Sequence, residues 1–195
     1  EAAQAEAQRK AEEAAQAEAR RKAAEAAQAE AQRKAEEAAR AEAQRKAEEA
    51  AQAQARKKTA EEGAQGEEEA VKVLLEARSK GDIDVILAVM AQHRDSTKVQ
   101  EVGCRALGSV AANNAATRTT IAEKGGIEAV FHAMTQHSHH EGVQRWGCIV
   151  MYRMVNLKSA RPAIRKGKAV MDAARNNFPN NSNIQLYLNK VYARI

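Results

Sequence analysis

The sequence predicts an all-α protein: a long single helix followed by a short α-helical stack of about three units. Three observations predict it. Residues 1–58 repeat every 12 positions and use only Ala, Glu, Gln, Arg and Lys, all strong helix formers. The hexapeptide Val99-Gln100-Glu101-Val102-Gly103-Cys104 returns 44 residues later as Val143-Gln144-Arg145-Trp146-Gly147-Cys148. Beyond residue 70 the apolar residues fall at helical spacing, without strand alternation, and a period in the low forties then points to stacked helical units.

The charge distribution divides the chain. Residues 1–58 hold 13 Lys or Arg against 12 Glu, residues 59–69 hold five Glu and no base, and residues 70–195 hold 18 Lys or Arg against 9 acids. The basic character therefore belongs to the C-terminal part. We accordingly assign a helical rod at 1–58, an acidic, glycine-containing joint at 59–69 and a helical-unit domain at 70–195.

In the rod, the block that starts at Ala5 returns from Ala17, Ala29 and Ala41, with a degraded copy from Ala53. Glu6 lies four before Lys10, Arg9 four before Glu13 and Glu18 four before Lys22, a spacing that supports an isolated helix. Such a helix would be roughly 85–90 Å long at 1.5 Å per residue. A coiled coil needs large apolar residues every 3.5 positions, and the only apolar residue here is Ala. A 12-residue block also turns by about 120°, so no Ala stripe stays on one side. The rod is expected to be a solvated spacer, with self-association possible but weak. It resembles TolA-like helices and the repetitive antigens of trypanosomatid protozoa.

The joint contains the chain's first glycines, Gly63 and Gly66. Each costs about 1 kcal/mol inside a helix, so the pair predicts an interruption. Glu67, Glu68 and Glu69 would then open the next helix, where negative charge suits the dipole.

Unit one is expected as a helix from Ala70 to about Lys80, a second from about Asp82 to Gln92 and a third from about Thr97 to Ala112. The stripe Val99, Val102, Gly103, Ala106, Leu107 and Val110 marks one face of the third. Unit two follows the plan: a short helix to Lys124, a second from about Gly126 to Gln136 and a third from about Glu141 to Leu157. Adding 44 to the stripe gives Val143, Trp146, Gly147, Val150, Met151 and Met154, each compatible with a core. Gly103 and Gly147 are unfavourable inside helices, so close approach of a neighbouring helix is expected at both. Unit three is degenerate. Pro162 suits a first helical turn, Ile164 answers Ile121, and Ile184-Gln185 answers Val143-Gln144 at an offset of 41. It reads as a terminal, capping unit.

The segment from Ala115 to Val130 and the V-Q-x-x-G-C frame resemble armadillo repeats. The resemblance spans about residues 70–195 and implies an armadillo-like α-solenoid whose third helices line a protein-binding groove. By offset and helical phase the groove candidates are Arg105, Ser109, Arg145, Tyr152, Arg153 and Asn156. Armadillo proteins that clamp extended peptides carry a groove Asn, which Ser109 and Arg153 replace here.

Other candidates are weaker. His132, His137, His139 and His140 lie within nine residues, a density that raises a metal site. His137, His139 and His140, the weak metal candidates, fall in a predicted turn with no Cys or carboxylate to complete a ligand spacing, so a solvated polar loop is the competing reading and no metal is expected. From Gln144 onward there are ten Lys or Arg and one acid, Asp172. This basic surface, represented by Arg161, Arg165, Lys166 and Lys168, suits an acidic or cytoskeletal protein partner. Nucleic acid is disfavoured, because no regularly spaced aromatic residues offer stacking platforms. Cys104 and Cys148 occupy equivalent positions and read as reduced core thiols.

No nucleophile–base pair, carboxylate dyad or phosphate-binding glycine loop is present, so no catalysis, small-molecule substrate or cofactor is expected. No apolar run approaches a membrane span. The start in mid-repeat without Met is expected of an excerpt from a longer protein. Together these features lead us to expect a non-enzymatic cytoplasmic scaffold, associated with a protozoan cytoskeleton or flagellum. The alternatives are a repetitive surface or secreted antigen and a binder of anionic polymers.

Overall fold

The computed structural model describes the backbone of residues 2–195 and the side chains of residues 15–58 and 61–195. These residues are helical with no strand, and the chain divides into two compact units, Glu1–Ala60 and Glu61–Ile195.

α1 spans Ala2–Lys80 and forms the described part of the first unit. Every side chain described between residues 15 and 58 is exposed. Nothing is packed there, and helix propensity and i,i+4 ion pairs sustain the structure. Glu18–Lys22, Glu30–Lys34 and Glu42–Lys46 pair at 2.7, 2.6 and 2.6 Å, recurring every 12 residues, and Arg21–Glu25 and Arg45–Glu49 add pairs at 3.4 and 3.9 Å. Each exposed pair contributes only about 0.3–0.5 kcal/mol, so the regular supply matters more than any member. The expected pairs Glu6–Lys10 and Arg9–Glu13 lie outside the described side chains.

The interruption expected at 59–69 is not a helix end. α1 stays helical through Gly63 and Gly66, where an added Cβ would meet nothing within 4 Å. About 1 kcal/mol per glycine is small beside long flanking runs of good helix formers, so the helix carries through.

In the second unit, Ala70, Leu74 and Ala77 form the buried stripe of α1. After it come α2 (Ile83–Gln92), α3 (Thr97–Ala111), α4 (Ala115–Glu123), α5 (Gly126–Gln136) and α6 (Glu141–Met154). A 3-10 turn at Lys158–Ala160 then leads to α7 (Arg161–Lys166), α8 (Lys168–Asn177) and α9 (Ser182–Tyr192). α6 stops short of the expected Leu157 because its end tightens, with the Leu157 N–H donating to the Met154 carbonyl at 2.9 Å. α2 packs on α3, α5 on α6 and α8 on α9, while α3 lies against α6 and α6 against α9.

The Gln of the hexapeptide explains much of this arrangement. Gln100 Nε2 donates to the carbonyls of Met90 and His93 at 2.7 and 2.9 Å. Gln144 does the same to Met134 and His137 at 2.7 and 3.0 Å, and Gln185 to Arg175 and Phe178 at 3.0 and 3.1 Å. A helix leaves its last carbonyls without partners, and each Gln closes two of them at the end of α2, α5 or α8. Gln100 and Gln144 are the buried polar side chains among the described residues. The next helix is capped at matching positions as well: Ser96, His140 and Asn181 accept from the backbone N–H three residues on.

Glycines complete the pattern. Gly81 and Gly125, 44 residues apart, take φ of 71° and 76°, a conformation that disfavours side chains. At Gly103 and Gly147 a Cβ would run into the Met90 and Met134 side chains. The close approach of a neighbouring helix expected from sequence is therefore made, through a methionine of α2 or α5.

The third helical group changes chemistry at positions that are apolar in the first two. Leu87 and Phe131 give way to Asp172, Met90 and Met134 to Arg175, Cys104 and Cys148 to Asn189, and Leu107 and Met151 to Tyr192. The replacements satisfy one another. Arg175 Nη2 donates to Asn189 Oδ1 at 2.6 Å, its guanidinium lies 4.7 Å from the centre of the Tyr192 ring, and the Tyr192 hydroxyl donates to Asp172 at 2.7 Å. Lys168 donates to the other Asp172 oxygen at 2.6 Å. The hydrogen bonds from Lys168 and then Tyr192 hold the Asp172 carboxyl below its ordinary value. Burial first, and then the bond to Asp172, push the Tyr192 phenol up.

Gln144→Ala leaves two buried carbonyls unpaired and is expected to lower stability by roughly 2–4 kcal/mol, read from urea unfolding; a loss below about 0.5 kcal/mol would remove the clamp from the account. Replacing Asp172, Arg175, Asn189 and Tyr192 by Phe, Met, Cys and Met gives the last group an apolar outer face. Sedimentation velocity should then show self-association absent from the parent, and a monomeric variant would contradict the capping role.

Candidate functional site

The face shared by α3, α6 and α9 carries the groove candidates. Residues 105, 149 and 190 are related by the offsets 44 and 41, and 109 and 153 by 44, so they recur at one phase on adjacent, packed helices; Arg194, at the next offset, lies just beyond α9. Arg105, Ser109, Arg145, Tyr152 and Arg153 are all half-buried, and Asn156 is exposed. The structure thus places the six predicted residues on α3, on α6 and just beyond it.

Their present engagements differ. Ser109 Oγ donates to the Arg105 carbonyl of its own helix at 3.0 Å. Asn156 Nδ2 points back at the carbonyls of Tyr152 and Arg153 at 3.4 and 3.5 Å, closing the end of α6. Arg153 Nη1 donates to the Gly108 carbonyl of α3, a tie between two third helices. A Cβ added at Gly108 would make only ordinary contacts, 3.5 Å from Val150 and 3.7 Å from Arg153 Nη1. The Tyr152 ring meets Tyr187 of α9 at 5.2 Å between centroids and is covered by Lys190 Nζ at 5.3 Å. Arg145 lies 5.5 Å from the Trp146 ring. Trp146 itself is half-buried against the core.

The bases Arg105, Arg145, Arg153 and Lys190 therefore share a face with two acids, each one turn before an arginine: Glu141, whose Oε1 accepts from Asn181 at 2.6 Å, and Glu101. The Glu101 carboxylate lies over Gly142 and 4.0 Å from His140 Nδ1. Tyr187 and Lys190 belong to this face and were not among the residues selected from sequence. Their signal was the 41-residue offset of the degenerate third unit, which carries Trp146 onto Tyr187.

The other basic candidates lie elsewhere. Arg161 donates through Nε to the Val155 carbonyl at 3.0 Å, Arg165 and Lys166 are exposed on α7, and Lys168 is spent on Asp172. They do not form one site with the α3–α6–α9 face.

Two of the histidines have structural work. His137 Nδ1 is 3.2 Å from Thr97 Oγ1 and its Nε2 is 2.8 Å from the Arg94 carbonyl, so both ring nitrogens bind the second helical group to the first. His140 Nδ1 caps α6, while His139 is exposed. Among the described residues no group of three or more His, Cys, Asp or Glu is placed to hold a metal.

Two further features escaped the sequence. A cleft of about 250 Å³ between α2 and α5 is lined by Leu87, Met90, Ala91 and Ala129, and one of about 380 Å³ between α5 and α8 by Met134, Thr135, Ala169 and Val170. They are equivalent positions on the second helices, away from the groove candidates. Among the described residues no helix is long and apolar enough to cross a membrane.

Comparison with known proteins finds no matching family model, no similar curated protein and no similar solved structure. The function must therefore be argued from the geometry.

Cys104 and Cys148 are free, buried and pushed up to about 12, chiefly by burial. The thiolate is the reactive form. At pH 8 a thiol reagent should label neither cysteine in the folded chain and both in denaturant; rapid native labelling would contradict the burial.

Proposed function

We propose that the chain is a non-enzymatic scaffold in which a helical spacer carries an armadillo-like, protein-binding α-solenoid, within a protozoan cytoskeletal or flagellar assembly. The observation that carries this reading is the side-by-side packing of α3, α6 and α9 with a shared, chemically distinct face. A face that recurs at one helical phase can follow an extended ligand from one helix to the next, as solenoid surfaces do. The rod supports a spacer role, because its described side chains are exposed and Ala is its only apolar residue.

The test is detergent extraction of cells that express the tagged chain, combined with crosslinking mass spectrometry. The expected outcome is retention in the insoluble cytoskeletal fraction, with protein crosslinks concentrated on residues 61–195. Recovery wholly in the soluble or detergent phase would overturn the cytoskeletal assignment.

A further inference from the structure

We propose, on the basis of the protein-binding reading, that the seam between α3 and α6 is a carboxylate-reading site. Arg105 and Arg145, supported by Lys190, would bind an extended Glu- or Asp-rich protein segment there. The starting observation is that the Nε atoms of Arg105 and Arg145 are buried and without a hydrogen-bond partner. Burying an N–H donor without an acceptor is costly, and for a guanidinium the matching acceptor is a carboxylate or phosphate, taken two-pronged. Arg118 and Arg175 also have an orphan Nε, but each spends another guanidinium nitrogen, on the Ala111 carbonyl and on Asn189. Arg105 and Arg145 have no side-chain hydrogen bond or ion pair, only the contact between Arg145 and Trp146.

Their spacing adds a second argument. Residues 40 apart face one another across successive helical groups, as in Asp84–Lys124, Thr97–His137 and Glu141–Asn181. Arg105 and Arg145 are also 40 apart; α3 and α6 pack against each other, and each contributes one of these cations. Like charges held close repel, and an anion between them removes the repulsion. Glu101, one turn before Arg105, is directed instead to Gly142 and His140.

The same face favours a peptide over nucleic acid. Single strands need open aromatic faces for base stacking. Here Tyr152 is covered by Lys190 and Tyr187, and Trp146 faces Arg145. Arg153 is a positioning residue, since its guanidinium is tied to Gly108 of α3.

The experiment measures fluorescence anisotropy of a labelled 12-residue poly-Glu peptide with the full chain, beside poly-Gln and single-stranded DNA of equal length. The wild type should bind poly-Glu, bind poly-Gln at least about tenfold more weakly and lose poly-Glu affinity as salt rises. Arg105→Gln with Arg145→Gln should weaken poly-Glu binding by at least about tenfold, with thermal unfolding followed to establish that the variant is folded. Arg165→Gln with Lys166→Gln, the rival basic surface, should change it by less than about threefold.

Equal losses from both double variants would overturn this seam and leave the protein-binding reading intact. So would poly-Glu binding that survives the first variant. Tighter binding of DNA than of poly-Glu would overturn the choice of a peptide. No poly-Glu binding by the wild type would overturn the carboxylate chemistry, again leaving the scaffold reading to its own crosslinking test. Carbodiimide crosslinking of poly-Glu to the wild type needs no variant. The amide should form at Lys190, and crosslinks confined to Lys158 and Lys166 would exclude the seam.

Discussion

The second unit of this chain depends on one interaction, the side-chain amide that reaches back to the end of the preceding helix. A buried helix terminus is costly because its last carbonyls lose water without gaining a partner. Gln100, Gln144 and Gln185 each supply two hydrogen bonds to such carbonyls. The amide can do so only if the next helix starts at a fixed distance and angle, which the caps at Ser96, His140 and Asn181 provide. Gly103 and Gly147, three residues beyond the Gln, then admit the methionine of the same preceding helix. V-Q-x-x-G-C is thus a description of one joint: Val in the core, Gln on the carbonyls, Gly under Met, Cys inside.

This dependence explains how the third group keeps the architecture after losing the motif. Gln185 and the Asn181 cap remain, so the joint between α8 and α9 is made as before. The positions that face outward are free to change, and they change together into Asp172, Arg175, Asn189 and Tyr192. A lone polar replacement at an interface is destabilising, whereas a mutually bonded set on a solvated end is tolerated. The first unit obeys different physics: its described side chains form no core, and stability is drawn from propensity and repeated ion pairs.

These differences decide what could be read from the residues alone. Helix boundaries of the second unit were legible where Gly81, Gly125 and Pro162 are strong local signals, and local signals act whatever the tertiary context. Gly63 and Gly66 were misleading for the opposite reason. Their cost is local, but whether a helix breaks depends on what lies on both sides, and here that is long runs of Ala, Glu and Lys. The role of Gln100 was invisible because its partners lie seven and ten residues back, at a distance no periodicity reports. The clefts between second helices depend on packing, which a single repeat does not encode.

The groove candidates show the same limit within one helix. Arg145 and Arg153 are two turns apart on α6, share a face and were selected by one rule. Arg153 finds the Gly108 carbonyl, an acceptor that the neighbouring helix offers at that height. Arg145 finds no such acceptor: its guanidinium meets the Trp146 ring, and Glu101 of α3 is directed elsewhere. One guanidinium is consumed by the fold and the other keeps its donors. Helical phase selects residues that can meet a partner; the chemistry of the opposing helix decides which of them still have hydrogen bonds to give.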